Sequence, residues 1–416
     1  MNILKKNFFN KKLMSTWANI PVGKIDAIMK LTEEFKLDTN ANKVNLAIGA
    51  YKDENNLPYI LNSVKKAKQN IENSNHEYSS IIGNEEFINN SKKFLFNKNN
   101  YELQNIATVQ TLSGTGACKL AAEFLNKVCK YNTIYLPNIT WGNHIPIMER
   151  SGLKVKKYNY YKNKGIDLNT MLEDIYNTKD NSLFLFHVCA HNPTGSDPSK
   201  EEWVSILNFL TKKNHMILFD CAYQGFSSGN HHKDAFPVRY LLEAKYTNFL
   251  VAQSYSKNFG LYGERIGALN IVTNNKFDKE NVLSQLKSII RPSYSNPPIN
   301  GAKILNEIFN DNILFSEWES ECLTMAHRMN SMRMLLNSQL EEKIPYRRWD
   351  HIKNQNGMFC FSEIPSDIIN IMRDDHSIYM TNDGRISIAG INERNIDYIT
   401  DSIKKSFDKY YKFKNS

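Results

Sequence analysis

The chain has 416 residues, 41% of them hydrophobic and 23% charged, with a formal charge of +9 at pH 7. That length buries a large core in more than one domain, and no apolar run approaches the roughly 18 residues needed to cross a bilayer, so no membrane span is expected. The lysines are scattered among asparagines with no aromatic-spaced basic stripe, which argues against a nucleic-acid partner and for a basic surface that attracts anionic substrates. Cys118, Cys129, Cys189, Cys221, Cys322 and Cys360 stand far apart with no CxxC pair. Free, mostly buried thiols in a reducing compartment are expected, and no bound metal.

Residues 1–14, MNILKKNFFNKKLM, hold four Lys, two Phe and no acid. This composition resembles a short presequence and points to mitochondrial import; a disordered tail on a cytoplasmic protein, or a start at Met14, is the alternative. Further along, the apolar run 109–112 ends in Ser113-Gly114-Thr115-Gly116, a turn leading into a helix with Leu120, Ala121, Phe124, Leu125 and Val128 on its apolar face. Strand candidates follow at 133–136, 183–188, 216–219, 249–252 and 266–272. Helical spacing intervenes, as at 202–212 through Trp203, Ile206, Leu207 and Leu210. This alternation predicts an α/β domain with a largely parallel sheet. After about residue 323 the pattern changes to a helix at 325–340, short strands at 358–361 and 385–389, and a closing helix at 393–410, which predicts a second, smaller domain. No internal repeat is visible.

Ligands of parallel sheets bind beyond the carboxyl ends of the strands. Asn192, Asp220, Ser254, Lys257 and the Ser113–Gly116 turn all follow apolar runs, so they are expected to converge on one crevice. The helix start after that turn is an anion site through its free N–H groups. Strand, Gly-rich turn and helix is equally a packing solution, and no GK[ST] follows to make a nucleotide-binding loop. A carboxylate at 220, after a buried strand, is costly unless it meets a cation. A protonated pyridine nitrogen suits it; capping a helix through AYQGF is the alternative. A lone lysine is usually a surface charge, but Lys257 follows a buried strand, where desolvation and Arg265 lower its pKa and leave it nucleophilic for a Schiff base.

The segments SYSKNFGLYGERIG, HNPTG, FDCAYQGF, IIRPSYSNPP and NDGRISIAG, in this order, resemble the aspartate aminotransferases among the fold type I pyridoxal phosphate enzymes. The match runs from about Trp17 to the final helix, and TWGNHIPI, GLYGERIGA, PPINGA and IYMTNDGRIS are most similar to the mitochondrial isoform. The resemblance implies a large domain, 59–324, with a mostly parallel seven-stranded sheet flanked by helices. It also implies a smaller α/β domain from 25–58 and 325–416, an N-terminal arm at 15–24, and a homodimer with shared active sites. The implied cofactor is pyridoxal 5'-phosphate. Lys257 would hold it covalently and, once released, move the substrate Cα proton. Asp220, supported by His144, would pair with the ring nitrogen. Tyr223 and Asn192 would bind the phenolic oxygen, and Trp141 would stack on the ring. Ser113, Gly114, Thr115, Ser254 and Arg265, with Tyr78 from the other subunit, would hold the phosphate.

For the substrate, the resemblance assigns the α-carboxylate to Arg385, with the backbone at Gly49, and the side-chain carboxylate to Arg291 from the neighbouring subunit. The implied reaction is the reversible passage of an amino group from L-aspartate to 2-oxoglutarate, with dicarboxylic amino and keto acids as ligands. An aromatic or kynurenine aminotransferase is the alternative within the fold, and a non-catalytic protein that keeps the fold is the alternative outside it. Ala47 stands where a Gly is common, Cys221 where other small or apolar residues are usual, and 342–350 differs in length and charge. None of these removes a catalytic group.

Overall fold

Seven strands form the central sheet of the computed structural model, which describes residues 16–23, 26–99 and 103–415. The presequence-like segment 1–14 lies outside the described residues. In chain order the strands are β1 (Ile106–Leu112), β2 (Thr133–Pro137), β3 (Lys154–Tyr158), β4 (Leu183–His187), β5 (Met216–Cys221), β6 (Phe249–Ser254) and β7 (Ile266–Val272). Their order across the sheet is β1-β7-β6-β5-β4-β2-β3. Only β7 runs against its two neighbours; the other pairings are parallel.

The near-continuous apolar runs of β4 to β7 follow from burial on both faces. Phe184, Phe186, Ile217, Phe219, Phe249 and Val251 pack on one side with Trp203, Ile206, Leu207 and Leu210 of the helix Lys200–Lys212. Leu183, Leu185, Leu218, Leu250, Ala252 and Leu269 point to the other side. There they meet Ala117, Cys118, Leu120 and Ala121 of the helix Ser113–Glu123, and Leu286 and Ile290 of the helix Lys276–Tyr294. The helix Lys200–Lys212 starts at a capping box in which Ser199 and Glu202 satisfy each other's backbone N–H.

A third apolar cluster joins Trp318, Met325, Met329, Leu336 and Leu340 of the helix Asn312–Lys343 to Ile399, Ile403 and Phe407 of the closing helix Ile396–Asn415. The expected helix at 325–340 is thus the C-terminal half of a 32-residue one. The antiparallel strands Phe359–Phe361 and Arg385–Ser387 lie in this region. The second is shorter than the expected 385–389 because Ile388–Gly390 tightens into a 3-10 turn. All six cysteines are free, and no described helix is long and apolar enough to cross a membrane.

Candidate active site

The parallel strands deliver their carboxyl ends to a cavity of ≈ 210 Å³. Trp141 arrives after β2 and Asn192 after β4, on either side of the point where strand order reverses; such a point opens a crevice. Asp220 sits at the end of β5, Ser254 ends β6, and Lys257 follows three residues later.

At one end the cavity is built for an anion. The helix Ser113–Glu123 begins at Ser113 itself, so Ser113-Gly114-Thr115-Gly116 is the first helical turn rather than a turn that precedes it. Its first N–H groups have no acceptor within the helix and carry the positive end of the helix dipole. Ser113 Oγ lies 3.1 Å from Ser254 Oγ and 2.7 Å from Ser256 Oγ. Two glycines permit this crowding. A Cβ at Gly114 would come within 3.0 Å of the Ser254 Cβ, and one at Gly267 of β7 within 2.7 Å of the Ser113 backbone. Arg265 and Thr115 complete the lining here.

In the middle lies a buried carboxylate. Burial pushes the Asp220 carboxyl up, but the His144 contact, reinforced by His187, outweighs it and holds Asp220 below the usual carboxylate value. His144 Nε2 is 3.2 Å from Asp220 Oδ2 and His187 Nε2 is 3.7 Å. Burial, the first cause, keeps His187 far below its ordinary pKa and therefore neutral, so the support rests mainly on His144. The Nδ1 of His144 is 2.9 Å from Thr140 Oγ1, which fixes the ring. Trp141 meets this imidazole edge-on, with ring centroids 5.2 Å apart. Burial, with the charge of Asp220, raises the Tyr223 hydroxyl well above its ordinary pKa, against the pull of Arg385 and a hydrogen bond with Asn192.

The third part of the cavity carries two cations, Lys257 and Arg385, with no carboxylate in contact among the described residues. Burial, then the charges of Arg385 and Arg265, lower the Lys257 pKa to about 8, and its Nζ donates to the Gly49 carbonyl. A side chain at Gly49 would reach within 2.7 Å of the Phe359 ring, so the backbone must approach bare. Arg385 is 5% exposed, donates to the Ala47 carbonyl at 2.7 Å and to Asn192 Oδ1 at 3.4 Å, and leaves Nε unpartnered. A buried guanidinium in this state is half of a bidentate pair with a carboxylate.

Arg291 and Tyr78 are not brought to this cavity within the single chain. Arg291 is exposed on the helix Lys276–Tyr294, beside Ser295, and Tyr78 is 83% exposed. Ile28, Ala222, Ser256, Tyr262 and Phe359 line the cavity and His187 stands behind it, yet the sequence reading did not single them out. Ser256 and Tyr262 lay within the SYSKNFGLYGERIG motif, Ala222 within FDCAYQGF, and His187 and Phe359 within predicted strands; Ile28 carried no signal beyond apolar character.

This fold and site define an aminotransferase. The family model for class I and II aminotransferases matches residues 41–403, and the chain belongs to that family. It is 43% identical over 389 residues to the mitochondrial aspartate aminotransferase of Dictyostelium discoideum, covering 92% of this chain and 91% of that protein. Identity to the mitochondrial enzyme of Xenopus tropicalis is also 43%, over 396 residues, 94% of this chain and 92% of that protein. The solved cytoplasmic aspartate aminotransferase of Saccharomyces cerevisiae superposes with a TM-score of 0.92 at 39% identity, covering 95% of this chain and 99% of that one.

Proposed function

We propose that the chain is an aspartate aminotransferase, moving the amino group of L-aspartate reversibly to 2-oxoglutarate with pyridoxal 5'-phosphate as cofactor. The observation that carries this reading is one cavity holding a lowered-pKa amine, Lys257, a buried carboxylate, Asp220, and a buried guanidinium with no carboxylate partner among the described residues, Arg385. The donor set suits the cofactor at three points: the Ser113–Thr115 helix start with Ser254 and Arg265 for the phosphate, Asp220 for the ring nitrogen, Lys257 for the aldehyde. When bound, the cofactor carries the amine between the two half-reactions and withdraws electrons from the substrate carbon.

The chain's own residues do the rest. Asp220, kept ionised by His144, holds a proton on the ring nitrogen. Tyr223 and Asn192 would donate to the phenolic oxygen, and Trp141 would pack against the ring. Once free, Lys257 takes the proton from the substrate Cα and returns it, an assignment its pKa near neutrality favours. Arg385 pairs with the α-carboxylate beside the bare backbone of Gly49 and so orients that C–H bond toward the amine.

Selectivity for the second carboxylate falls to Arg291 of a second copy of the chain, and Tyr78 of that copy reaches the phosphate; this requires a homodimer. The names of the relatives and the lysine-rich segment 1–14 favour a mitochondrial location over a cytoplasmic one. The division into 59–324 and 25–58 with 325–416 belongs to the same reading, with the helix Asn312–Lys343 running through both parts.

The test is the visible spectrum of the purified protein with cofactor. Aspartate should bleach the aldehyde-form band to that of the aminated form, and 2-oxoglutarate should restore it. No change with either would overturn the assignment. A kcat/KM for phenylalanine above that for aspartate would transfer it to the aromatic enzymes.

A further inference from the structure

We propose that, in the cofactor-free chain, Cys118, His144 and Asp220 form a site for one thiophilic divalent cation, of the zinc or cadmium kind, whose binding excludes the cofactor. The proposal rests on the reading of Asp220 as the partner of the ring nitrogen. One Cys Sγ, one His nitrogen and one carboxylate oxygen lie within 4.8 Å of one another, and all three residues are buried. They come from three different elements: Cys118 from the helix Ser113–Glu123, His144 from the helix His144–Arg150, and Asp220 from β5. Tetrahedral zinc, with bonds of about 2.0–2.3 Å, asks these ligands to close by about 1 Å, a side-chain adjustment.

Three further observations point to a cation. His144 Nε2 is buried and faces another member of the cluster, Asp220 Oδ2, at 3.2 Å. Its Nδ1 lies 2.9 Å from Thr140 Oγ1, the outer contact that holds a ligating imidazole with Nε2 free for the metal. One thiolate and one carboxylate cancel the two positive charges, so the complex is neutral where an isolated charge would be costly. Coordination replaces the Cys118 S–H bond by a sulfur–metal bond, and the proton leaves to solvent. Asp220 lines the cavity, with Cys118 and His144 buried behind it, so a cation would enter from the cavity side. The same carboxylate then faces either the cation or the ring nitrogen, so the two ligands compete.

The experiment titrates the full chain, stripped of cofactor, with cadmium ions and follows the ultraviolet thiolate-to-cadmium charge-transfer band. One equivalent should give the band in the wild type. The holoenzyme and the Cys118→Ala variant should lack it. With one equivalent of cadmium present, cofactor uptake should be about tenfold slower or worse in the wild type and unchanged in Cys118→Ala. A band of equal strength in Cys118→Ala would place the metal on another cysteine, such as the exposed Cys129, and overturn the proposal, as would an equal band in the holoenzyme. If Cys118→Ala does not fold, Cys129→Ala serves: it should keep the full band, and its loss would be equally fatal. Cofactor binding in metal-free buffer is read separately from the cofactor's own absorption, so failure of the aminotransferase reading is distinguishable from failure of the metal site.

Discussion

Lys257 and Arg385 share a desolvated cavity, and each charge makes the other costlier. For the amine the result is a folded pKa of about 8 against an ordinary 10.5. The sign follows directly. Below pH 8 the buried ammonium costs stability, and that cost is relieved as pH rises from 8 toward 10.5. Reactivity moves with it. In the cofactor-free chain, competitive labelling of amines read by mass spectrometry should show Lys257 becoming reactive with a midpoint near pH 8, well below the exposed lysines; a midpoint at the ordinary value would contradict the desolvation account. For selectivity, Arg291→Asp removes two charge-assisted hydrogen bonds to the substrate carboxylate, so kcat/KM for aspartate should fall by about a thousandfold, from ~4 kcal/mol. Cationic amino acids should gain, and an unchanged preference for dicarboxylates would show that another residue selects.

The element scale explains why strand ends and helix starts meet so closely. Gly267→Ala drives a methyl group to 2.5 Å from the Gln253 carbonyl and 2.7 Å from the Ser113 backbone. Neither neighbour is a flexible side chain, so we expect a loss of about 1–3 kcal/mol, read as a lower Tm, with weaker phosphate binding. The loop after β5 offers a pH test. Asp234 accepts from the N–H groups of Gly225, Ser227 and Ser228, while burial raises its pKa to about 6. An acid with a raised folded pKa costs stability above that value, and the cost fades as pH falls from 6 toward 3.8. Asp234→Asn should flatten that part of the Tm-against-pH curve; an unaltered slope would assign it to another group.

Most of the sheet was legible because β4 to β7 are apolar on both faces and the ends of β5 and β6 carry Asp220 and Ser254. β3 was not. Its KVKKY leaves all three lysines exposed on the sheet edge, where only β2 pairs with it, so no apolar run marks it. The ends of the helix Asn312–Lys343 were also missed, because exposed Ile313, Leu323 and Met334 and buried Arg333 and Asn337 blur the contrast between its apolar and polar faces.

The whole molecule joins residues that the sequence could only name singly. Strand-end chemistry picked out Asp220, Asn192, Ser254 and Lys257 without help, whereas Arg385, Gly49 and Trp141 needed the motif resemblance, since a single Arg or Trp in a loop has no period. Phe359 and Tyr262 lay in a predicted strand and a motif, but only the folded chain puts them on the cavity wall. The shared-site dimer gives a test at this scale. Mixing unfolded Lys257→Ala and Arg291→Ala chains and refolding them together should restore about a quarter of wild-type activity, because half of the dimers are hybrids with one intact site each. Recovery of nothing above the separate variants would mean that each chain builds its site alone.

The central claim is that Lys257 holds the cofactor covalently. Borohydride reduction of the protein with pyridoxal 5'-phosphate, followed by peptide mapping, should leave the phosphopyridoxyl group on Lys257, and aspartate added beforehand should abolish the labelling. A peptide containing an unmodified Lys257, with cofactor bound and reduced, would contradict it.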